Sequence, residues 1–279
     1  MKVTVLIENT KISDDLVSEA GLSMYIETDA GHILFDTGKT GSFIQNAEKL
    51  GVDLKNVDLA VLSHGHGDHG GGLLPFLQIN DRAKIYAKKS ADKDFYFRIM
   101  SFYKSVRTDK KVFKNYPFRF NFLDGFTEIM DNVYIITDIK RKYKAPQGNK
   151  YLYMKKGSRI VRDDFSHELT MVIKQESSMV VFTGCSHNGT ANIIDTVKSR
   201  FPGLKIKAVV GGFHLTKLPL VTFLKPSEEE IDILAQKILD ENVEMIYTGH
   251  CTGKNAFERL KGKLDGNAYY ISTGMEFNI

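Results

Sequence analysis

The sequence predicts an α/β protein, because short apolar strands alternate with helices in both halves of the chain. Eleven β-branched runs of four to six residues are bounded by glycines or turn-forming residues, as buried strands are. Helices in between would cover the faces of the resulting sheets. The strand candidates are Val3–Ile7, Met24–Glu27, His32–Phe35, Leu59–Ser63, Lys84–Ala87, Val133–Asp138, Leu169–Lys174, Met179–Thr183, Ile206–Val210, Met245–Thr248 and Tyr269–Ser272.

Five segments are predicted to be helical. Ser227 followed by three glutamates forms a capping box, with acidic residues favourably placed at a helix N-terminus. Residues 92–106 place aromatic side chains two helical turns apart, which is compatible with core or interface packing. The helix candidates are Ser42–Leu50, Asp92–Val106, Thr190–Arg200, Ser227–Leu239 and Lys254–Leu260.

Composition narrows the class of protein. The 279 residues are 42% hydrophobic and 26% charged, which suits a globular protein with a sizeable core and excludes disorder or a coiled coil. No apolar run approaches the roughly 20 residues that a membrane-spanning helix needs. The N-terminus lacks a signal-peptide pattern, and two cysteines exclude a disulfide framework. We therefore expect a cytoplasmic protein with no membrane partner.

Positive charge and aromatic residues are concentrated in the middle of the chain. Residues 82–162 carry 21 Lys and Arg against 7 Asp and Glu, and 16 of the 30 Phe and Tyr. Such a segment could bind a small anionic ligand with a flat ring, or form a solvated basic face over packed aromatics. It could also form a homodimer interface. Residues 88–165 interrupt the strand–helix alternation and are interpreted as an insertion, and no internal repeat is evident.

The most informative stretch directly follows the apolar run Leu59–Ser63. It reads His64-Gly65-His66-Gly67-Asp68-His69 and continues with three glycines. Four metal-binding side chains fall within six residues, and the glycines let the backbone turn so that they converge. Imidazole and carboxylate form a ligand set for Zn²⁺, and also for iron or manganese. The stretch predicts a metal site at the end of a strand.

Three later strands end in an apolar run, a glycine and a histidine. In α/β sheets, ligands gather at the carboxyl ends of strands, so six of the eight histidines are expected at one edge of the fold. Asp36, at the end of a further strand, is suited to orient a ligand histidine or to join the metal ligands. The three later stretches are Gly184-Cys185-Ser186-His187, Gly211-Gly212-Phe213-His214 and Thr248-Gly249-His250-Cys251.

These motifs resemble those of the metallo-β-lactamase superfamily, in which a strand ending in Asp-Thr-Gly precedes an HxHxDH loop. Four stretches resemble a narrower group, the dihydropterin ribofuranosyl-aminobenzene phosphate synthase-like proteins. The resemblance covers the chain except the insertion and implies a single domain over residues 1–279. Its fold would be a four-layer αββα sandwich with a dinuclear metal site at one rim. The four stretches are Gly21-Leu22-Ser23, Gly184-Cys185-Ser186-His187, Gly211-Gly212-Phe213-His214-Leu215 and His250-Cys251-Thr252-Gly253.

The resemblance implies a role for each matching residue. Asp68 would both bind metal and orient the nucleophile, a metal-activated hydroxide. His214 would contact substrate, stabilise the developing oxyanion or protonate the leaving group. The implied ligands of a first ion are His64, His66 and His187, and those of a second ion are Asp68, His69 and His250.

Four further residues keep more than one interpretation. Cys185 stands where hydrolases of this superfamily carry a metal-bridging aspartate, and is either a thiolate ligand or a buried inert thiol. His214 could also complete a metal shell. His167 lies where many members keep a third-motif ligand, although a substrate-facing or surface role fits it as well. His32 is expected to be structural or exposed.

The sequence therefore predicts a metal-dependent hydrolase-like enzyme with two divalent ions, with Zn²⁺ preferred over Fe or Mn. Its substrate would be small and anionic, such as a pterin or nucleotide phosphate, held by His214 and by basic and aromatic residues of 88–165. A dihydropterin phosphate synthase-like activity is a related reading. The alternatives are a phosphodiesterase or nuclease, or a metal-binding protein without catalysis. A net charge of only +4 argues against a dedicated nucleic-acid binder.

Overall fold

The computed structural model describes residues 1–216 and 227–279. Over these two ranges, every helix is too short or too polar to cross a membrane. The chain forms two compact units, the first made of Met1–Leu123, Tyr151–Glu168 and Ile271–Ile279, the second of Asp124–Lys150 and Leu169–Tyr270. Short 3₁₀ turns cover Leu54–Asn56, Lys89–Asp92, Pro117–Arg119, Gln147–Tyr151 and His250–Thr252.

The first unit is built on a seven-stranded sheet with four helices. Its core lies between the sheet and the helices, where Phe43 and Phe76 are fully buried against strand residues such as Leu34. The helices are α1 (Ser42–Lys49), α2 (Gly67–Gly70), α3 (Leu73–Ile79) and α4 (Lys110–Asn115). In spatial order the strands are β18 (Glu276–Asn278), β1 (Lys2–Ile7), β2 (Ser23–Thr28), β3 (Gly31–Phe35), β4 (Leu59–Val61), β5 (Lys84–Ala87) and β8 (Phe120–Phe122).

In its described residues, the second unit contains another seven-stranded sheet and three helices. Apolar side chains of all three helices pack with strand residues such as Val181 and Val209 in one core. The helices are α5 (Thr190–Arg200), α6 (Glu228–Asp240) and α7 (Lys254–Lys263). In spatial order the strands are β9 (Phe126–Met130), β10 (Val133–Ile136), β13 (Thr170–Lys174), β14 (Ser178–Thr183), β15 (Lys205–Gly212), β16 (Met245–Gly249) and β17 (Ala268–Tyr270).

The two large sheets share one topology. From one edge, each has three antiparallel strand pairs followed by three parallel pairs. In the second sheet the spatial order of the strands is the same as their order in the chain. In the first sheet, β18 is the edge strand beside β1, although its residues follow those of the other strands in the chain. A repeat that the sequence does not reveal is therefore present in strand order and pairing. In both sheets the parallel strands bring their carboxyl ends to one edge.

A third, four-stranded sheet belongs to the first unit and has two different faces, because side chains alternate along a strand. Phe95 and Phe97 are buried on one face. On the other, Arg98 donates from Nη1 to the hydroxyl of Tyr153 (3.2 Å), and the Arg162 guanidinium lies 4.6 Å from the centre of the Tyr153 ring. In spatial order its strands are β12 (Arg159–Arg162), β11 (Leu152–Lys156), β6 (Phe95–Ile99) and β7 (Phe102–Ser105).

Each of the eleven strand candidates overlaps an observed strand, the last one only at Tyr269 and Tyr270, and four of the five predicted helices are confirmed. The predicted helix Asp92–Val106 is wrong, because this segment forms the β6–β7 hairpin. The aromatic spacing that suggested a helix also fits two paired strands, in which Ile99 opposes Phe102. Residues 88–165 supply strands to all three sheets, including β8, β9 and β10 of the two large ones.

Candidate metal centre

The histidine-rich loop of the first unit begins at His64, three positions after the end of β4, and is held by backbone hydrogen bonds. The N–H of Gly67 donates to the carbonyl of Val106 (2.7 Å), and the N–H of Thr108 donates to that of Gly65 (2.9 Å). His64, His66 and His69 are almost completely buried. The segment that follows β7 thus fixes the loop on which these three side chains stand.

Gly65 has no room for a side chain. A Cβ there would lie 2.4 Å from Cε2 of Phe95 and 2.5 Å from the carbonyl oxygen of Ala91. We expect Gly65→Ala to lower the free energy of unfolding by about 1–3 kcal/mol, the usual cost of overpacking, measured by urea denaturation. Gly262→Ala is the matched control, because nothing lies within 4 Å of that position in α7. It should raise stability by about 0.5–1 kcal/mol, and equal effects of the two variants would contradict the steric explanation.

One carboxylate, Asp36, determines which nitrogens two of the histidines present. Its Oδ2 accepts from Nδ1 of His69 (2.7 Å) and from the hydroxyl of Ser63 (2.6 Å). Since an ionised carboxylate only accepts, the single Ser63 proton points at Asp36, and the Ser63 oxygen must accept from Nδ1 of His64 (2.9 Å). His64 and His69 therefore carry their protons on Nδ1 and present unprotonated Nε2 atoms.

A second buried carboxylate, Asp163, lies behind His66. Its Oδ2 is 3.6 Å from Nε2 of His66 and 3.1 Å from Nε2 of His167. The Nδ1 of His167 accepts from the N–H of Gly65 (3.0 Å), so its Nε2 carries the proton. Burial alone would raise the pKa of Asp163, but His167 and His66 outweigh burial and hold it well below its usual range. Burial also lowers the pKa of His167, which keeps that ring neutral.

The donor set of the first unit fits a divalent metal ion. Nε2 of His64 lies 3.1 Å from Nδ1 of His66. Oδ2 of Asp163, 3.6 Å from Nε2 of His66, favours a proton on that nitrogen, which would leave a lone pair on each of the two facing nitrogens for a shared cation. One ligand atom each of His64, Asp68 and His69 also lie within 4.8 Å of one another. Neutral imidazoles and a carboxylate in this arrangement suit Zn²⁺ or Fe²⁺.

In the second unit, the predicted residues follow the carboxyl ends of three neighbouring parallel strands, β14, β15 and β16. Ser186 (φ 57°), His214 (φ 47°) and His250 (φ 51°) have left-handed backbone conformations, as does Asp36 (φ 58°) in the first unit. Each costs on the order of 1 kcal/mol in a residue other than glycine, and such conformations cluster at functional sites. The backbone is therefore strained where the candidate ligands stand.

Asn149 orients His187. Its Nδ2 donates to the backbone carbonyl of His187 (2.8 Å), so its Oδ1 faces Nδ1 of the same ring and accepts from it (3.0 Å). The unprotonated nitrogen of His187 is therefore Nε2, which is the atom that a metal would use. The ring of His214 packs at 4.3 Å from that of His187, between centres.

Removing this orienting amide gives a testable result. Asn149→Ala should weaken metal binding by about 10-fold, because the His187 ring loses the contact that sets its tautomer. A chelator competition titration measures the affinity. Asn149→Asp restores the acceptor for Nδ1 and should recover most of it. Equal affinities in the wild type and in Asn149→Ala would show that the ring is oriented by other groups.

His250 lies at the start of a 3₁₀ turn that is clamped to the neighbouring strand. The Thr248 hydroxyl donates to the carbonyl of Gly211 (2.7 Å), and the N–H of Phe213 donates to the hydroxyl of Thr252 (2.9 Å). Cys251 follows in the same turn. Burial would raise the pKa of Cys251, but contacts with Cys185 and with the His214 and His250 rings lower it well below its usual range.

The predicted site residues come from both units. Asp36 contacts His69, one of the predicted ligands, and His167 is fully buried, so a surface role is wrong for it. His32 stacks on Tyr25 at a partly exposed position. No role was predicted from sequence for Ser63, Asn149, Asp163 or Cys251. Of these, Ser63 and Cys251 carried a signal, since each stands directly beside a predicted histidine.

Comparison with known proteins agrees with the α/β fold described above. The family model of the metallo-β-lactamase superfamily matches residues 18–250, and the chain belongs to that superfamily. The predicted α/β fold class with the metallo-β-lactamase fold is thereby confirmed.

Among individual relatives, the 7,8-dihydropterin-6-methyl-4-(β-D-ribofuranosyl)-aminobenzene-5′-phosphate synthase of Methanocaldococcus jannaschii is 29% identical, over 87% of this chain and 88% of the relative. The crystal structure of Tm1679, a metal-dependent hydrolase of the β-lactamase superfamily, is 30% identical with a TM-score of 0.84, covering 100% of this chain and 99% of that one. Zn²⁺-bound PqqB from Methylobacterium extorquens shares the fold at 11% identity, with a TM-score of 0.59 and complete coverage of both chains.

Proposed function

We propose that this protein is a metal-dependent, hydrolase-like enzyme that acts on a small anionic substrate. The proposal rests above all on the His64 Nε2 and His66 Nδ1 atoms, which lie 3.1 Å apart, with the buried carboxylates of Asp36 (through Ser63) and Asp163 next to the two rings. Two divalent ions, with Zn²⁺ preferred, are proposed. Their proposed ligands are His64, His66, Asp68 and His69 of the first unit and His187 and His250 of the second.

When bound, a divalent ion lowers the pKa of a water molecule and polarises the oxygen of a carbonyl or phosphoryl group. The protein's own residues supply the rest. Asp68, partly exposed beside the buried histidines, offers a carboxylate that can accept a proton from the attacking water. His214, whose Nδ1 has no hydrogen-bond partner in the described part of the chain, can donate to a developing oxyanion or leaving group.

The proposed substrate class is a phosphorylated ring compound such as a pterin or nucleotide phosphate. It is supported by the name of the synthase from Methanocaldococcus jannaschii and by the basic character of the middle segment. The Phe95 ring lies next to His66, with 5.4 Å between the ring centres. Arg98 and Arg162 stand on the opposite face of the four-stranded sheet, so their side chains point away from this histidine. Arg107, whose backbone pairs with that of His66, is therefore the better candidate for contact with the anion.

His66→Ala tests the proposal directly. It should abolish both metal retention and turnover, measured by metal analysis of purified protein and by a panel of phosphodiester and lactone substrates. His32→Ala is the matched control, because that imidazole is partly exposed and stacks on Tyr25 away from the loop. Full activity of His66→Ala, or equal losses in both variants, would refute the assignment.

The same panel separates the alternatives. A nuclease would bind oligonucleotides with an affinity that falls steeply with salt, whereas a small substrate would show a weak salt dependence. A metal-binding protein without catalysis would take up metal and turn over none of the phosphoesters, thioesters or lactones. A synthase would require a second, condensing substrate before any product formed.

A further inference from the structure

Strand β7 is an open edge of the four-stranded sheet in the first unit. It pairs with β6 on one side and is the last strand of the sheet on the other. All four of its residues, Phe102–Ser105, are exposed, and 76% of the Phe102 surface is accessible to solvent. Another extended chain can therefore reach this edge from solvent.

The pairing of β7 with β6 identifies which of its backbone groups face outward. In an antiparallel pair, every second residue exchanges both its N–H and its C=O with the neighbouring strand, and the residues between them point both groups away. The N–H of Val106 donates to the carbonyl of Phe95 (2.9 Å), so Lys104, two positions earlier, also bonds to β6. Tyr103 and Ser105 face outward, and their N–H and C=O groups have no hydrogen-bond partner in the described part of the chain.

The strands of this sheet carry positive charge only. They contain six lysines and arginines and no aspartate or glutamate. Among the residues that the structure describes, Lys156 is the one member of the six that forms an ion pair, with Asp164. A second copy of the chain would bring the same charges against one another, whereas an acidic strand would complement them. The six residues are Arg98, Lys104, Lys155, Lys156, Arg159 and Arg162.

We propose that β7 binds an extended acidic segment of a partner protein, which adds to the sheet as a further strand. Tyr103 and Ser105 supply the main-chain hydrogen bonds, which give affinity whatever the sequence of the partner. Lys104 and Phe102 lie on one face of the sheet, because side chains alternate along a strand. They select an acidic side chain beside the lysine and an apolar one beside the exposed ring. None of these four residues belongs to the candidate metal centre, so the proposal does not depend on the proposed function.

A pair of synthetic octapeptides tests the charge requirement on the full-length protein. One alternates valine with glutamate and the other valine with lysine, and both have blocked termini and a fluorescent label. Fluorescence anisotropy should show binding of the Val–Glu peptide, with the Val–Lys peptide weaker by about 10-fold or more, since like charges oppose each other across the strands. Lys104→Glu should reduce this difference by about 5-fold. Binding of neither peptide, or equal binding of both, would overturn the proposal.

Ser105 offers a matched pair of variants that tests the strand edge itself. Ser105→Pro removes an outward N–H and leaves the bonds to β6 intact, because edge strands tolerate proline where the N–H faces solvent. It should weaken binding of the Val–Glu peptide by about 5- to 10-fold, the effect of one lost main-chain hydrogen bond, whereas Ser105→Ala should bind as the wild type does. Equal affinities of the two variants would contradict the proposal. A wild-type dimer in analytical ultracentrifugation that Ser105→Pro converts to a monomer would also contradict it, because a second copy would then occupy the edge.

Discussion

Asp36→Asn is expected to lower metal affinity by about 10- to 100-fold, the range typical of losing a carboxylate behind a ligand histidine. Asp36 accepts three hydrogen bonds, from the N–H of Ser63 (2.8 Å), from the Ser63 hydroxyl and from Nδ1 of His69. An asparagine amide in either orientation presents an NH₂ to at least one of these donors. The tautomers of His64 and His69 are then no longer determined, and one ligand nitrogen can become protonated.

The measurement is a Zn²⁺ competition titration against a chromophoric chelator. Because the amide leaves a buried donor without an acceptor, the metal-free variant should also lose about 1–3 kcal/mol of stability in urea denaturation. Asp29→Asn, in an exposed turn between β2 and β3, is the charge-matched control and should change neither quantity. Wild-type affinity in folded Asp36→Asn would show that other groups determine the tautomers.

Asp163→Ala is expected to have an effect of similar size, through His66 and His167. It removes the carboxylate that both rings face, leaving the Nε2 proton of buried His167 without an acceptor, which should cost about 3 kcal/mol of stability. Metal affinity should fall by about 10-fold or more, because His66 loses the group that keeps its Nδ1 unprotonated.

Asp163→Asn separates the two effects. Its amide oxygen can still accept from His167, so part of the stability should return, while the NH₂ cannot take the place of a carboxylate beside His66. Asp131→Asn, at an exposed position in the turn between β9 and β10, should alter stability by no more than about 0.5 kcal/mol. If all three variants behaved alike, the buried carboxylate would have no special role.

The lowered pKa of Asp163 predicts how the difference in stability between wild type and Asp163→Asn depends on pH. Since this pKa is held well below its usual range, the carboxylate contributes its full stability above the unfolded value of about 4. That contribution is lost as the pH falls through the lower folded value. The difference in stability between wild type and Asp163→Asn should therefore be constant near neutral pH and shrink in acid, as unfolding of the metal-free proteins at several pH values would show.

The strands were predictable because burial on both faces leaves an almost continuous apolar run, as in Val180, Val181 and Phe182 of β14. The β6–β7 hairpin was not, since its aromatic side chains suit a helix and a pair of strands equally well. Only the observed alternation of buried Phe95 and Phe97 with half-exposed Tyr96 decides between the two. The deciding information is the packing partner, which a single sequence does not contain.

At the candidate metal centre, the ligands could be predicted from sequence but the residues that orient them could not. The HxHxDH loop was visible because its ligands are close together in sequence. The groups that orient the rings come from elsewhere: Asn149 is 38 positions from His187, and His167 is 102 positions from Gly65. A lone Asn or Asp in a polar segment has no pattern that marks it. Sequence therefore identifies the candidate ligands, while the hydrogen bonds that choose their nitrogens appear only in three dimensions.

The edge position of β18 has a consequence for biosynthesis. Residues 271–279 belong to the first unit, where Val3 pairs with Phe277 and the N–H of Glu8 donates to the hydroxyl of Thr273 (2.7 Å). Every segment of the second unit precedes them in the chain. As the ribosome adds residues from the N-terminus onward, the sheet of the first unit must wait for residues 271–279, whereas all segments of the second unit are made before them.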